Sequence, residues 1–305
     1  MAAFPVVRTR AMTRTPTLTL LAAAVFALAG CASTAPRAEL AAPPAVAVPA
    51  DDNLNAVLWV QTAQEYRALT TQTWRAAQAQ LDAALADPTW TALLPGEGAE
   101  LQKPEQKPAV IVDIDETMLD NAAYQARLVV DGQSYGSASW AAWVTERRAT
   151  PVPGALAFAQ AAAAKGVTIV YISNRTHDMA ADTIANLRHY GFPVEEANYY
   201  GLGIEVPGCT PHGSEKGCRR IAAASKYRVL LQVGDQITDM TQVTSNSRAE
   251  RDALLDTHSA WFGQRWFVLP GPTYGGYEPA AFGNDWSQPA DVRRARKHQA
   301  LELAR

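Results

Sequence analysis

Residues 109–121, AVIVDIDETMLDN, restrict what this chain can fold into more than any other stretch. Residues 109–112 form a short apolar run rich in β-branched side chains, entered through Pro104 and Pro108. That length and composition predict a buried strand rather than a helix. Pro108 is tolerated at a strand's entry, where its missing N–H costs little. The run ends in two carboxylates, Asp113 and Asp115, one residue apart. Like charges at the end of a buried strand repel each other and lose hydration, so they require a cation or a proton. A central parallel strand opens at its carboxyl end onto the crevice where ligands bind in α/β sheets. The pair is therefore a candidate site rather than a packing feature.

The rest of the pattern predicts a parallel sheet around that strand. Residues 167–172 (VTIVYI) predict a second strand, ending at Ser173, Asn174 and Arg175. Residues 229–233 (VLLQV) predict a third, ending at Gly234 and Asp235, and residues 266–269 (WFVL) a fourth. Helices are predicted over 54–86 (one or two, capped by Asp51 or Asp52), 155–164, 178–190 and 216–227. Residues 119–150 carry Tyr124, Tyr135, Trp140 and Trp143 without a strand signal and read as a small, mostly helical insertion. Residues 195–215 are loop-rich, with a weak strand signal at 202–206, and the charged tail 291–305 reads as a solvated helix. Strands alternating with helices imply an α/β fold with right-handed crossovers. In such a sheet the polar strand ends share one edge.

Net charge is −3, which supplies no basic field for a nucleic-acid polymer. The N-terminus has the grammar of a targeting segment. Arg8, Arg10 and Arg14 flank the start of an apolar run, residues 18–29, that is too short to span a bilayer comfortably. It ends in Leu28-Ala29-Gly30-Cys31, which resembles a bacterial lipobox, with an ordinary secretory signal as the alternative. The expected organisation is a lipoprotein signal peptide over 1–30, lipidation at Cys31, an Ala/Pro-rich tether over 31–50 and a folded domain over 51–305. The expected location is the outer membrane, lipid-anchored and facing either the periplasm or the outside. Export permits disulfides, so the nearby pair Cys209 and Cys218 reads as a bridge closing a small loop. A zinc site using His212 is the alternative, and it lacks ligands.

The polar strand ends make a chemical set. Asp113, Asp115 and Asp235 are carboxylates suited to a hard cation, and Mg²⁺ is the natural one. Ser173, Asn174 and Lys216 offer donors for phosphate oxygens. Phosphoryl transfer needs positioning and charge neutralisation above all, and this set supplies both. Asp113, nearest the strand end, reads as the nucleophile, and Asp115 as the acid and base that serves the leaving group and then water. Because Asp115 must hold a proton at the first step, an activity optimum below neutral pH is expected.

DIDET after an apolar strand, Ser173, Lys216 and the Gly234-Asp235…Asp239 run resemble, in order, the four motifs of the haloacid-dehalogenase (HAD) superfamily phosphatases. The whole pattern is similar to that of the class C acid phosphatases. It includes residues 115–121 with Tyr124, Trp140 and Trp143, residues 152–155, residues 173–175, Lys216 with Arg219 and Arg220, and residues 274–278. The resemblance implies a HAD-like Rossmannoid sheet flanked by helices with a small helical cap formed by 118–150 and the helices of 54–86. It implies Mg²⁺ held by Asp113, the backbone carbonyl of Asp115 and Asp235, with Asp239 outside the direct ligands. It also implies a small phosphomonoester substrate, with Trp140 and Tyr274 flanking a nucleotide base. Two competing functions share the scaffold. A dehalogenase would have no use for Asp115 as an acid, and a surface lipoprotein that only binds a ligand or partner would not need the full set of acids and lysine.

Overall fold

The computed structural model describes residues 50–304. The expected signal peptide, the lipidated Cys31 and nearly all of the tether lie outside the described residues.

The N-terminal helical pattern resolves into two helices, α1 (Leu54–Thr62) and α2 (Gln64–Ala86), broken at Ala63, whose backbone is extended. The cap of α1 is Asn53 rather than either aspartate; Asp51 instead accepts from the Asn53 N–H at 2.7 Å. Strand β1 (Lys107–Val112) follows, then the two-residue β2 (Leu119–Asp120), helices α3 (Ala122–Asp131) and α4 (Ser137–Glu146), and β3 (Thr150–Pro151). The insertion is thus helical as expected, but it stands on a small antiparallel ribbon of β2 and β3 that the sequence did not signal. Next come α5 (Ala155–Ala164), β4 (Thr168–Thr176), α6 (Ala180–Tyr190) and β5 (Tyr199–Leu202). The chain finishes with α7 (Gly217–Ala224), β6 (Tyr227–Gly234), α8 (Arg248–Thr257), β7 (Trp266–Val268), the short α9 (Tyr277–Ala280) and α10 (Ala290–Gln299).

Five strands form one parallel sheet in the order β5-β4-β1-β6-β7. The expected weak strand at 202–206 is displaced: the fifth strand is 199–202, and residues beyond it are loop. The order reverses between β1 and β6, which is the switch point where ligands bind in this topology. Alternate side chains of β1 feed two cores. Val110 and Val112 join the larger one with Trp74, Phe158 and Tyr171, while Ala109 and Ile111 join the smaller one with Trp266. Helix α2 packs mainly against α5 and β6 in the layer covering the sheet, while α1 packs against α3 of the insertion and Tyr66 at the start of α2 shares a buried cluster with Ala122 of α3. Helix α10 buries no residue and is tied by Arg294 and Lys297 to Asp52. No helix among the described residues is long and apolar enough to cross a membrane.

Candidate active site

Strand β1 delivers Asp113, whose backbone N–H donates to the Val233 carbonyl at 3.0 Å and so continues the ladder one residue beyond the strand. The chain then folds into a tight turn. The N–H groups of both Met118 and Leu119 reach the Ile114 carbonyl at 2.8 Å, and Glu116 takes a left-handed backbone with φ 56°. A non-glycine residue in that region carries backbone strain, which recurs at functional sites. The turn is what aims Asp115 and Glu116 to different partners.

Asp113, Asp235 and Asp239 bring carboxylate oxygens within 4.8 Å of one another, all buried. One cation serves the group. Lys216, the N-cap residue of α7, pairs with Asp113 and reaches Asp239 Oδ1 at 2.7 Å. Both Asp239 oxygens are committed, since Oδ2 accepts from the Gln236 N–H at 2.8 Å. Asp235 has no cationic partner among the described residues and accepts only from Gln236 Nε2, at 3.0 Å. Burial pushes the Asp113 carboxyl up to about 7; Lys216 opposes that rise, and Asp239 and Asp115 add to it. Burial likewise raises Asp235 well above the carboxylate range, with Asp239 and Asp113 reinforcing the shift. Burial works against the Lys216 ammonium, yet Asp113 and Asp239 outweigh it and raise its pKa. Three buried carboxylates against one lysine leave a surplus of negative charge on hard oxygen donors. That donor set fits a divalent hard cation.

The end of β4 provides the opposite wall. Ser173 is buried, and its Oγ accepts from the Arg175 N–H at 3.0 Å, an arrangement that leaves the hydroxyl proton to donate. Arg219 in α7 donates to the Ser173 carbonyl, to Asn174 Oδ1 at 2.7 Å and to the Ser214 carbonyl at 2.8 Å. It thereby ties the Ser173–Asn174 stretch of β4 to the loop that carries Lys216. That loop is also closed by a disulfide between Cys209 and Cys218.

A match to known proteins agrees with this geometry. The profile of the HAD superfamily, subfamily IIIB (acid phosphatase), matches residues 19–277. The chain belongs to that family. Similar solved structures include the class C acid phosphatase from Bacillus anthracis, 31% identical with a TM-score of 0.71, covering 83% of this chain and 98% of that one. The same enzyme with tungstate bound is 30% identical, again with a TM-score of 0.71, 83% and 98% coverage. The fold is accordingly HAD-like and the protein is a phosphomonoester hydrolase.

In this acid phosphatase Trp140 and Tyr274 have partners of their own. Trp140, in α4, sits edge-on to Tyr124 at 5.1 Å between ring centres and covers the Arg175 guanidinium at 5.3 Å. Tyr124 is buried and meets Ser139 Oγ at 3.0 Å, a packing role. Tyr274 donates its hydroxyl to Glu116, and its backbone carbonyl accepts from Gln236 Nε2 at 3.3 Å. Sequence reasoning gave no role of their own to Glu116, Asn121, Arg175, Arg219 or Gln236. Glu116, Asn121, Arg175 and Arg219 lie within the stretches that carry the family resemblance, and that membership was their only signal; Gln236 lies beside Asp235.

Proposed function

We propose that this acid phosphatase hydrolyses phosphomonoesters through an aspartyl-phosphate on Asp113 and depends on Mg²⁺. The observation that carries the reading is the pairing of Asp113 with Lys216 inside a cluster of three buried carboxylates at the sheet's switch point. Asp113, the backbone carbonyl of Asp115 and Asp235 would hold the ion. Asp239, with both oxygens already engaged, would orient Lys216 and the Gln236 backbone instead. A divalent ion there would neutralise phosphate charge and favour the ionised nucleophile.

An Asp113 carboxylate oxygen attacks phosphorus, and the phosphorus–oxygen bond to the leaving group breaks as Asp115 gives that oxygen its proton. Water then attacks the phosphorus of the phospho-aspartate. Asp115 takes the water's proton, and Asp113 is released with inorganic phosphate. Ser173, Asn174 and Lys216 donate to the phosphate oxygens; positioned donors of this kind are usually the largest catalytic contribution. The related Bacillus anthracis enzyme has been solved with tungstate, an oxyanion of phosphate's shape, and an oxyanion site there is in keeping with this reading.

For substrate, we read Trp140 and Tyr274 as the aromatic groups that would favour a nucleoside monophosphate, because a base stacks on any π-face. For location, we read residues 1–30 as a lipoprotein signal and Cys31 as the anchor that attaches the enzyme to the outer membrane.

Purified protein with Mg²⁺ should release phosphate from p-nitrophenyl phosphate, and Asp113→Asn should abolish it. An inert wild type across an acid-to-alkaline series would sink the enzymatic mechanism. A panel of nucleoside monophosphates against sugar phosphates then tests substrate; a Trp140→Ala variant with unchanged nucleotide preference would remove the stacking assignment. Labelled palmitate or glycerol incorporated by wild type but not by Cys31→Ser tests the anchor.

A further inference from the structure

The Asp115 carboxylate is held unevenly. Its Oδ1 accepts from Asn121 Nδ2 at 2.9 Å, from Arg175 Nη2 at 2.7 Å and from Arg175 Nε at 3.1 Å. Its Oδ2 has a single, longer contact, Arg175 Nε at 3.2 Å. An oxygen that accepts three hydrogen bonds has no lone pair to spare for a proton, whereas the other oxygen does. The two donors are themselves fixed. Arg175 is 2% exposed, its Nη1 donates to Thr183 Oγ1 at 3.1 Å, and Trp140 covers its face. The Asn121 amide is oriented by Trp143 Nε1, which donates to its Oδ1 at 2.8 Å and so turns Nδ2 toward Asp115. Both tryptophans belong to α4.

We propose that Arg175, backed by Asn121, is a positioning residue that pins Asp115 by Oδ1 and reserves Oδ2 to carry the proton given to the leaving group. This rests on the reading of Asp115 as the general acid. A buried ion pair is a poor source of net stability, because burial of both charges offsets their attraction. Its geometric value is larger, since the planar guanidinium fixes a carboxylate's rotation in a way a lysine ammonium cannot. The insertion then has a use in the site: α4 holds the two groups that hold the acid.

The test separates proton donation from folding. A leaving group that departs readily as an anion, such as 2,4-dinitrophenolate, needs no acid, whereas an alkoxide does. Values of kcat/KM report on steps through the first departure, so hydrolysis of the intermediate does not enter. We expect Arg175→Gln to lower kcat/KM for alkyl phosphates on the order of 10²-fold, the size of a misplaced catalytic group. Its kcat/KM for 2,4-dinitrophenyl phosphate should change little, and inhibition by inorganic phosphate should be unchanged. Arg175→Lys should recover part of the alkyl-phosphate loss and serves as the second variant if Arg175→Gln does not fold. Asp115→Asn is the reference and should have at least as steep a leaving-group dependence. A uniform loss across leaving groups, or no loss, in the Arg175 variants while Asp115→Asn is steep overturns the proposal and leaves the acid assignment standing. An Asp115→Asn variant without leaving-group dependence overturns the acid assignment itself, and the proposal with it.

Discussion

The hydroxyl of Tyr274 donates to the carboxylate of Glu116, joining residues 158 positions apart in the chain. The contact fastens the loop after β7 to the turn after β1. Tyr274→Phe keeps the ring and leaves a buried carboxyl one partner short. It should cost about 1–3 kcal/mol in denaturant unfolding, the usual penalty for a stranded buried acceptor. Nucleotide KM should be unaffected by Tyr274→Phe and raised by Tyr274→Ala. Equal stability of Tyr274→Phe and wild type would mean the bond contributes nothing to the fold.

Burial raises Glu116 to about 8, with Asp115 adding to the rise and Tyr274 opposing it, and burial raises Asp113 to about 7. Both values lie above the ordinary 4.5 and 3.8, so the folded, metal-free protein binds these protons more tightly than the unfolded chain does. Stability from this source is complete below the ordinary values and is lost as pH rises through about 7 and then about 8. Chelator-treated protein should therefore lose Tm between weakly acid and weakly alkaline buffer. Added Mg²⁺ should restore more at the alkaline end, where the carboxyls are free to bind it. A metal-free Tm that stays level or climbs across that window contradicts the assignment of these groups.

Lys216 is the sole cation pairing with Asp113 and Asp239 among the described residues. Lys216→Met leaves two buried carboxylates without compensation. The expected cost is about 3–5 kcal/mol in unfolding experiments, together with loss of measurable turnover. Protonating the acids relieves part of it, so the stability deficit should shrink at low pH. A deficit independent of pH would indicate lost packing instead.

Two glycines leave room for the acidic cluster. A Cβ on Gly271 would lie 2.4 Å from Asp235 Oδ2, and one on Gly234 would lie 2.2 Å from Asp239 Oδ2. Gly271→Ala should weaken activation by Mg²⁺ by roughly 10–100-fold, the range for disturbed supports of metal ligands. Titration of activity against free Mg²⁺ measures it; an unchanged midpoint would mean that Asp235 is not a ligand or that the loop yields freely.

The Cys209–Cys218 disulfide spans nine positions and ends at the second residue of α7, between Lys216 and Arg219. Cross-linking a loop this short is worth a little under ~3 kcal/mol on the chain-entropy account. Cys209→Ser with Cys218→Ser, or treatment with a dithiol, should lower stability by about that amount and raise KM for phosphate esters. Identical KM values for oxidised and reduced enzyme would confine the bridge to stability.

The sequence was most legible where one pattern settled one element. The β1 run, the VTIVYI strand and the helix over 155–164 closed by Gly166 needed no tertiary information. The edge strand β5 was misplaced because its third residue is glycine, which reads as a breaker. In the fold that glycine is required by a close approach: a Cβ there would lie 2.9 Å from the His177 Cα and 3.1 Å from the Arg175 carbonyl. Helix α8 escaped notice although Ser247 caps it by accepting from the Glu250 N–H at 3.1 Å, because the helix buries nothing and carries no apolar stripe. Asp113, Asp235 and Lys216, which the structure brings together, were legible because they follow an apolar strand run or precede a helix. Arg175 meets Asp115 across 60 positions and Gln236 meets Tyr274 across 38, so only folding joins them; Asn121 lies six positions from Asp115, but its amide is aimed by Trp143, 22 positions on.

Return to the loop that delivers Lys216. Its one covalent brace is a bond that cytosolic thiols keep open and exported compartments close. In a reducing compartment the loop would keep the hydrogen bonds from Arg219 and lose its covalent closure. A rise in KM on reduction would then tie the rate of hydrolysis to the redox state of the compartment that holds the enzyme.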